Sequence, residues 1–389
     1  MGAEIAPADS RGGRVLGWLG VLLVGLILAE AALRAFAALP TNVGRQLARF
    51  DLTLTVYEPY SRFGYRPRPG ASESFPNGTR AHYNARRYRG PMVEPVKPAG
   101  VFRIILLGGS TAVGYGADDD STIDAHLRRM LNARFPSGCF EVVNLALGGY
   151  DSYQDYERMR VEGTLLAPDV VIVHSGINDV RNAQFPTLSD TAPDPRTLLW
   201  QSQLRDVRGR DGNYAPNFWA QVKHYSYLAR FPGFARSLLG TRQSLGTIQE
   251  ARAYPAATEY FASNVKGTID LALNLGAAVI LSTPPSAIPI RNRPTDPVEK
   301  SYWIKDAATT EEYRRVLSAR MDSIASVYAA AGRPVRHVSH HLQLPEFLDD
   351  AHLLSSGNRT VAEGLLEVVT PYVRERPHSG CDLTARTPR

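Results

Sequence analysis

The stretch Val101-Phe-Arg-Ile-Ile-Leu-Leu-Gly-Gly-Ser-Thr111 decides the fold. It opens with a nearly continuous apolar run, VFRIILL (101–107), and closes on two glycines and a serine. Continuous rather than alternating apolar character suits a strand covered on both faces, as in a parallel sheet under two helical layers. Four further runs repeat the pattern: FEVVNLAL (140–147), DVVIVHS (169–175), AAVILST (277–283) and VRHVSH (335–340). Between them lie windows of helical character, TIDAHLRRMLNARF (122–135), FASNVKGTIDLALNLG (261–276) and EEYRRVLSARMDSIASVYAAAG (311–332). Gly276 and Gly332-Arg-Pro334 mark helix ends. Strand and helix alternating in this way predict an α/β domain with a parallel sheet and helices on both faces.

Outward from this core the rhythm changes. Between the third strand and the helix before the fourth lie about 90 residues, roughly 180–264, with Pro186, Pro193, Pro195, Trp200, Trp219 and the aromatic run HYSYLARFPGF (224–234). This insertion belongs beside the C-terminal edge of the sheet, as a cap over a pocket or as packing alone. Residues 40–100 are rich in Pro, Gly, Arg and Tyr and show little periodicity, which predicts an irregular lead-in or linker. The predicted division is 1–39, an apolar N-terminal segment; 40–100, the lead-in; 101–375, the α/β domain with its insertion; and 376–389, a tail.

The N-terminal segment contains fifteen uncharged residues, VLGWLGVLLVGLILA (15–29), and the apolar pattern continues past Glu30 and Arg34 to Ala38. A membrane span needs about 20 mostly apolar residues, and Val15 to about Leu33 meets that. A signal anchor is the preferred reading. A cleaved signal peptide is the rival, because Ala35-Phe36-Ala37 resembles a small-residue cleavage site. Glu30 and Arg34 sit where such a site wants neutral residues. Either reading predicts that the rest of the chain is extracytoplasmic, membrane-anchored in the first case and secreted or periplasmic in the second. Basic residues flank the segment on both sides, so charge asymmetry does not orient it.

Composition narrows the function classes. Of 389 residues 44% are hydrophobic and 21% charged, which supports a buried core and excludes a broadly disordered chain. The net charge of +6 is small for this length and falls short of a nucleic-acid footprint. Two cysteines, Cys139 and Cys381, exclude a disulfide scaffold and any CxxC metal or redox motif; pairing of these two and free thiols both stay open. No metal-ligand spacing of the HExxH or facial-triad kind is present, and GGSTAVGYG lacks the GK[ST] ending of a phosphate loop. No cofactor and no metal are expected.

Open α/β sheets place their chemistry at the C-terminal ends of the strands. The first strand ends in Gly108-Gly109-Ser110-Thr111, where a serine hydroxyl can face the crevice. The second ends in Asn144-Leu-Ala-Leu-Gly148-Gly149-Tyr150, where a glycine N–H is open to an oxyanion. The third ends in Gly176-Ile177-Asn178-Asp179, which offers an amide donor. Each of these taken alone is equally a turn. After the fifth strand comes Asp349-Asp350-Ala351-His352. His352 is a candidate general base for Ser110, and Asp349, three residues back, is a better orienter than Asp350. The other eight histidines show no comparable partner pattern.

The ordered set GGST (108–111), NLALGGYDSYQ (144–154), GIND (176–179) and DDAH (349–352) resembles the SGNH, or GDSL-type, hydrolase family over about 100–375. The ending LAEAALR of the apolar segment and the stretch NARRYRG also resemble a membrane-anchored bacterial branch of it. The resemblance implies a flavodoxin-like three-layer sandwich around a five-stranded parallel sheet. It implies Ser110 as nucleophile, His352 as base and Asp349 as its partner. The oxyanion hole is then Ser110 N–H, Gly149 N–H and the Asn178 side chain, with Gly148 the neighbouring alternative to Gly149. Where the family usually has Asp before the nucleophile, this chain has Gly109. The function implied is an esterase or deacylase acting on ester-linked acyl groups, O-acetyl among them, of cell-envelope or extracellular carbohydrate or lipid. An acyltransferase using the same site and an inactive carbohydrate-binding protein are the alternatives.

Overall fold

The computed structural model describes residues 10–39, 56–182, 226–239, 255–290 and 307–375, apart from 61, 63 and 76, together with positions 41, 43, 47 and 222. The chain divides into two compact units, one of residues 1–55 and 206–244, the other of 56–205 and 245–389.

The larger unit is built on five parallel strands: β5 (Val101–Gly108), β6 (Cys139–Asn144), β7 (Val170–His174), β8 (Ala278–Ser282) and β9 (Val335–Val338). Their order across the sheet is β6-β5-β7-β8-β9. The order reverses direction between β5 and β7, and the crevice at such a switch point is where a doubly wound sheet binds its ligand. Every residue of β5, β6, β7 and β8 is buried, as the uninterrupted apolar runs require. Edge strand β9 is only partly covered. Helices α3 (Ile123–Arg134) and α9 (Ser355–Glu375) join one face, and α4 (Ser152–Val161), α7 (Pro255–Asn274) and α8 (Ala307–Ala330) the other. The two apolar clusters match this division: Ile104, Leu106, Leu127, Leu131 and Leu365 lie on one side, Ile105, Leu107, Val265, Ile269 and Leu317 on the other. The arrangement is the predicted three-layer sandwich.

The lead-in differs from its prediction. From Tyr57 it forms two antiparallel hairpins, β1 (Tyr57–Tyr60) with β2 (Gly64–Pro67) and β3 (Ser72–Ser74) with β4 (Arg80–His82). Val56, Tyr65, Phe75 and Tyr83 join the apolar cluster on the α3 face. Strands of three or four residues carry too few alternations for a period to show in sequence, and packing against the domain holds them. Arg103, fully buried in β5, donates to Glu141 at 2.7 Å and to the lead-in carbonyls of Glu94 (2.8 Å) and Pro95 (3.2 Å). Cys139 is disulfide-bonded; Cys381 lies outside the described residues.

The smaller unit contains α1 (Ser10–Ala38) and α6 (Tyr227–Leu239), the latter drawn from the predicted insertion. Trp200, Trp219 and most of that insertion lie outside the described residues. The stretch Val15–Ala38 of α1 is long and apolar enough to cross a membrane, and none of its most apolar window is buried in the protein.

Candidate active site

The nucleophile loop follows from glycine geometry. Gly108 closes β5 with φ +149°, and a Cβ there would stand 2.2 Å from the His174 carbonyl oxygen on the neighbouring strand. Only glycine allows the chain to leave the sheet so close to β7. Ser110 then begins the four-residue helix α2 (Ser110–Val113) and is part exposed. Arg89 of the lead-in holds the far end of this helix. Its buried guanidinium donates to the carbonyls of Val113 (2.7 Å), Gly114 (2.6 Å) and Ala117 (2.6 Å) and pairs with Asp119 at 2.9 Å. The last carbonyl of so short a helix, that of Val113, has no intrahelical partner, and Arg89 supplies its donor and those of the two loop carbonyls that follow.

His352 and Ser110, 242 positions apart, meet at 2.8 Å between Nε2 and Oγ. The other ring nitrogen, Nδ1, lies 2.6 Å from Asp349 Oδ2. Asp349 Oδ1 accepts the backbone amides of Ala351 (2.9 Å) and His352 (2.7 Å), so the carboxylate is set before the imidazole is considered. Burial pushes the Asp349 pKa up, but the His352 ring and these two amides outweigh it and hold the group below its ordinary value. Asp350, the competitor, is buried, and its backbone carbonyl accepts the Ala287 amide at 3.0 Å. A serine, an imidazole and an ionised carboxylate thus form one hydrogen-bonded line capable of moving a proton off the hydroxyl.

The predicted oxyanion donors converge on the same crevice. Asn178, on α5 (Ile177–Asn182), gives one amide hydrogen to the Tyr150 carbonyl at 2.7 Å, which fixes the direction of the second. Gly109 lies against it: a Cβ at 109 would stand 2.5 Å from Asn178 Nδ2 and 2.9 Å from the Tyr150 oxygen. Glycine in place of the usual Asp is therefore a packing requirement of this site. Gly149 has φ +85°, and its amide has no hydrogen-bond partner among the described residues. The Gly148 carbonyl accepts the Tyr65 hydroxyl, and the Tyr150 hydroxyl donates to the Tyr65 carbonyl, so the 148–150 turn is bracketed to β2. Asp179 ties the turn to α5 by accepting the Ser152 hydroxyl at 2.6 Å. Gly149 and Asn178 are candidates from the sequence, whereas neither bracket is visible there, because each links segments far apart in the chain.

The same reading found no partners for the remaining histidines, and the structure corrects it. His174 Nδ1 and His340 Nε2 both lie 2.8 Å from the buried Ser282 Oγ. Burial and the facing His340 depress His174 to about 3; burial and the neighbouring His337 and His341 depress His340 to about 4. Both rings are neutral at ordinary pH. Thr283 Oγ1 lies 2.9 Å from His337 Nε2, and His337 Nδ1 lies 3.2 Å from Asp322, an arrangement that imitates a triad on the wall of a cavity of about 430 Å³. It lacks the electrophilic half. The Thr283 amide donates to the Val338 carbonyl at 3.0 Å, and the next two residues, Pro284 and Pro285, have no N–H to offer. Neither Ser110 nor His352 lines this cavity.

The GDSL-like lipase/acylhydrolase family model matches residues 106–360, about two thirds of the chain, a span that includes Ser110, Gly149, Asn178, Asp349 and His352. Solved structures similar to the chain include a protein described as an acylhydrolase from Bacteroides fragilis (14% identity, 70% of this chain and 88% of that one, TM-score 0.40). A GDSL-like lipase from Bacteroides thetaiotaomicron is 13% identical over 69% of this chain and 88% of that one, with TM-score 0.37. An acetylxylan esterase from Geobacillus stearothermophilus is 14% identical over 69% and 94%, with TM-score 0.37. No curated protein matches the chain.

Proposed function

The chain belongs to the GDSL-like lipase/acylhydrolase family and is a serine hydrolase of ester bonds; from that premise we propose that Ser110 carries the reaction through an acyl-enzyme and that the substrate is an ester-linked acyl group, O-acetyl included, on cell-envelope or extracellular carbohydrate or lipid. The observation that carries this reading is the unbroken line Asp349–His352–Ser110, with contacts of 2.6 and 2.8 Å. His352 Nε2 takes the hydroxyl proton as Ser110 Oγ bonds to the ester carbonyl carbon. Asp349 stabilises the imidazolium. The Ser110 and Gly149 amides and the second Asn178 amide hydrogen receive the tetrahedral oxyanion. As the C–O bond breaks, His352 returns the proton to the departing alcohol; a water molecule then repeats the sequence and frees the acid. The extracytoplasmic location of the substrate is part of the same proposal and rests on reading α1 as a signal anchor or signal peptide that exports the catalytic domain.

The test uses the full chain in detergent with a fluorophosphonate probe and a short-chain aryl ester. Labelling and hydrolysis should both vanish in Ser110→Ala and His352→Ala. Asn178→Ala should lose on the order of 10²–10³ in rate while the chain stays folded. Full labelling and turnover in Ser110→Ala would overturn the assignment.

A further inference from the structure

We propose that α6 is a membrane-surface helix, seated in the headgroup layer of an anionic bilayer and clamped to the anchor helix by Glu30. The proposal rests on reading α1 as a membrane span.

The division of labour along α1 is abrupt. From Val15 to Leu28 its large apolar side chains are exposed, Trp18 by 73% and Leu28 by 64%. From Glu30 the helix has a protein partner. Glu30, Leu33, Arg34 and Ala37 recur at helical spacing and form one stripe. Leu33 and Ala37 pack with Phe234 and Tyr227 of α6, and Arg34 lies over the Tyr227 ring at 5.2 Å. The 24 residues of Val15–Ala38 rise about 36 Å, against a hydrocarbon core of about 30 Å. The stripe that holds α6 therefore falls at one end of the span, at the level of the headgroups.

The Glu30 contacts fit that depth. Its carboxylate accepts the amides of Tyr227 (3.0 Å) and Leu228 (2.8 Å) and the hydroxyl of Ser226 (2.9 Å), and it pairs with Arg34 at 2.8 Å. The Ser226 hydroxyl in turn accepts the Ala229 amide at 3.1 Å, and the Ser226 carbonyl accepts that of Arg230. All of the first four amides of α6 are satisfied by protein. The first amides of a helix need acceptors from outside it, and a side chain of another segment can supply them as a cap. Here the acceptor comes from a residue 197 positions away from Tyr227, at the point where the uncharged stretch of α1 ends.

The composition of α6 and its flanks names the partner. Between Asp211 and Glu250 the chain contains Lys223, Arg236 and Arg242, besides Arg230, which is buried against the Tyr227 ring, and no Asp or Glu. The same segment carries Tyr214, Phe218, Trp219, Tyr225, Tyr227, Phe231 and Phe234, the residue types that settle at membrane interfaces. On α6 itself Phe231, Pro232 and Gly233 form an exposed uncharged turn, while Phe234 faces α1. A basic segment with an apolar outer turn fits anionic lipid, where each Lys or Arg contributes on the order of five-fold to partitioning.

Depth-dependent fluorescence quenching tests this on the full chain in vesicles of phosphatidylcholine with phosphatidylglycerol. A polarity-sensitive fluorophore is placed at Gly233→Cys on α6, at Leu23→Cys on α1 and at the exposed Val327→Cys on α8, with the unsubstituted chain as the labelling blank. The label at 233 should be quenched by lipids brominated high in the acyl chain and shielded from aqueous iodide, unlike the label at 327. Glu30→Ala should abolish bromolipid quenching at 233 and leave it intact at 23, and Glu30→Gln, which keeps an acceptor oxygen, should retain most of it. Iodide quenching at 233 equal to that at 327, with the label at 23 still quenched by bromolipid, would overturn the seating of α6 and spare the anchor. A label at 23 blind to bromolipid would overturn the anchor reading and this proposal with it. Unchanged quenching at 233 in Glu30→Ala would overturn the clamp.

Discussion

Tyr115 lies against the imidazole of His352, with ring centroids 4.4 Å apart and planes tilted by 38°, while its backbone amide donates to the Ser110 carbonyl at 2.9 Å. One residue thus touches both the main chain of Ser110, the proposed nucleophile, and the face of His352, its proposed base. Phe75 of the lead-in backs the Tyr115 ring at 4.7 Å. The stack confines the imidazole to the plane in which Nε2 meets Ser110. Tyr115→Leu should lower kcat by roughly two- to ten-fold, the size of one aromatic contact, and leave KM nearly unchanged. Tyr115→Phe should retain activity. Steady-state kinetics on the aryl ester checks both, and a Leu variant with full kcat would remove Tyr115 from any positioning role.

Gly109 is required by Asn178. A methyl group at 109 would enter within 2.5 Å of the Asn178 amide nitrogen, and Tyr150 blocks retreat in the other direction. Gly109→Ala should therefore cost about as much as losing an oxyanion donor, ~10²–10³ in kcat. Combining it with Asn178→Ala should give little further loss, since both remove the same donor. Additive losses in the double variant would mean that Gly109 acts elsewhere.

Arg89 serves stability and the site together. Its truncation would leave the carbonyls of Val113, Gly114 and Ala117 buried without donors. Arg89→Met should destabilise the chain by about 3–5 kcal/mol in urea unfolding, as expected when one member of a buried charged network is removed. Arg89→Lys should rescue only part, because an ammonium cannot span the separated acceptors that the planar guanidinium reaches. Wild-type stability in the Met variant would show that the loop at 113–117 closes without it.

Two carboxyl groups near the nucleophile titrate in opposite senses. Asp349 is held below its ordinary pKa, so its contribution to stability is present above about pH 4 and is lost as pH falls through the folded value. Asp155, fully buried on α4, is raised to about 7: burial dominates, the Asp179 carboxylate adds to it, and the nearby Ser175 hydroxyl and Gly108 amide counter it in part. Its sign is the reverse. The protonated form favours the fold, and that stability is lost as pH rises from about 4 through about 7. Asp155→Asn should gain thermal stability over the wild type as pH rises from about 5 to about 8, by up to roughly 3 kcal/mol. A pH-independent difference between the two would refute the assignment.

The sheet and the order of the chemical groups were legible in the sequence, because both are local signals. A strand covered on both faces must be apolar at nearly every position, and VFRIILL, DVVIVHS and AAVILST say so in seven residues each. Gly108, Ser110, Asn178 and His352 stand out as candidates in the sequence because each lies directly beyond such a run or in a short DxxH pattern. The departure at Gly109 was visible too, but its reason was not: it lies in the 2.5 Å approach of Asn178, a contact across strands. The lead-in was read as irregular because its strands of three and four residues have no period, yet through Tyr65, Phe75 and Arg89 it brackets the oxyanion turn, backs Tyr115 and caps the nucleophile helix. Glu30 read only as a charge at the edge of an apolar segment, and its role as the cap of α6 exists only once residues 30 and 227 meet. Periodicity and turn chemistry act over a few residues and are written in order along the chain. The contacts that orient groups and satisfy buried ones are made between segments tens to hundreds of positions apart, and packing in three dimensions alone decides them.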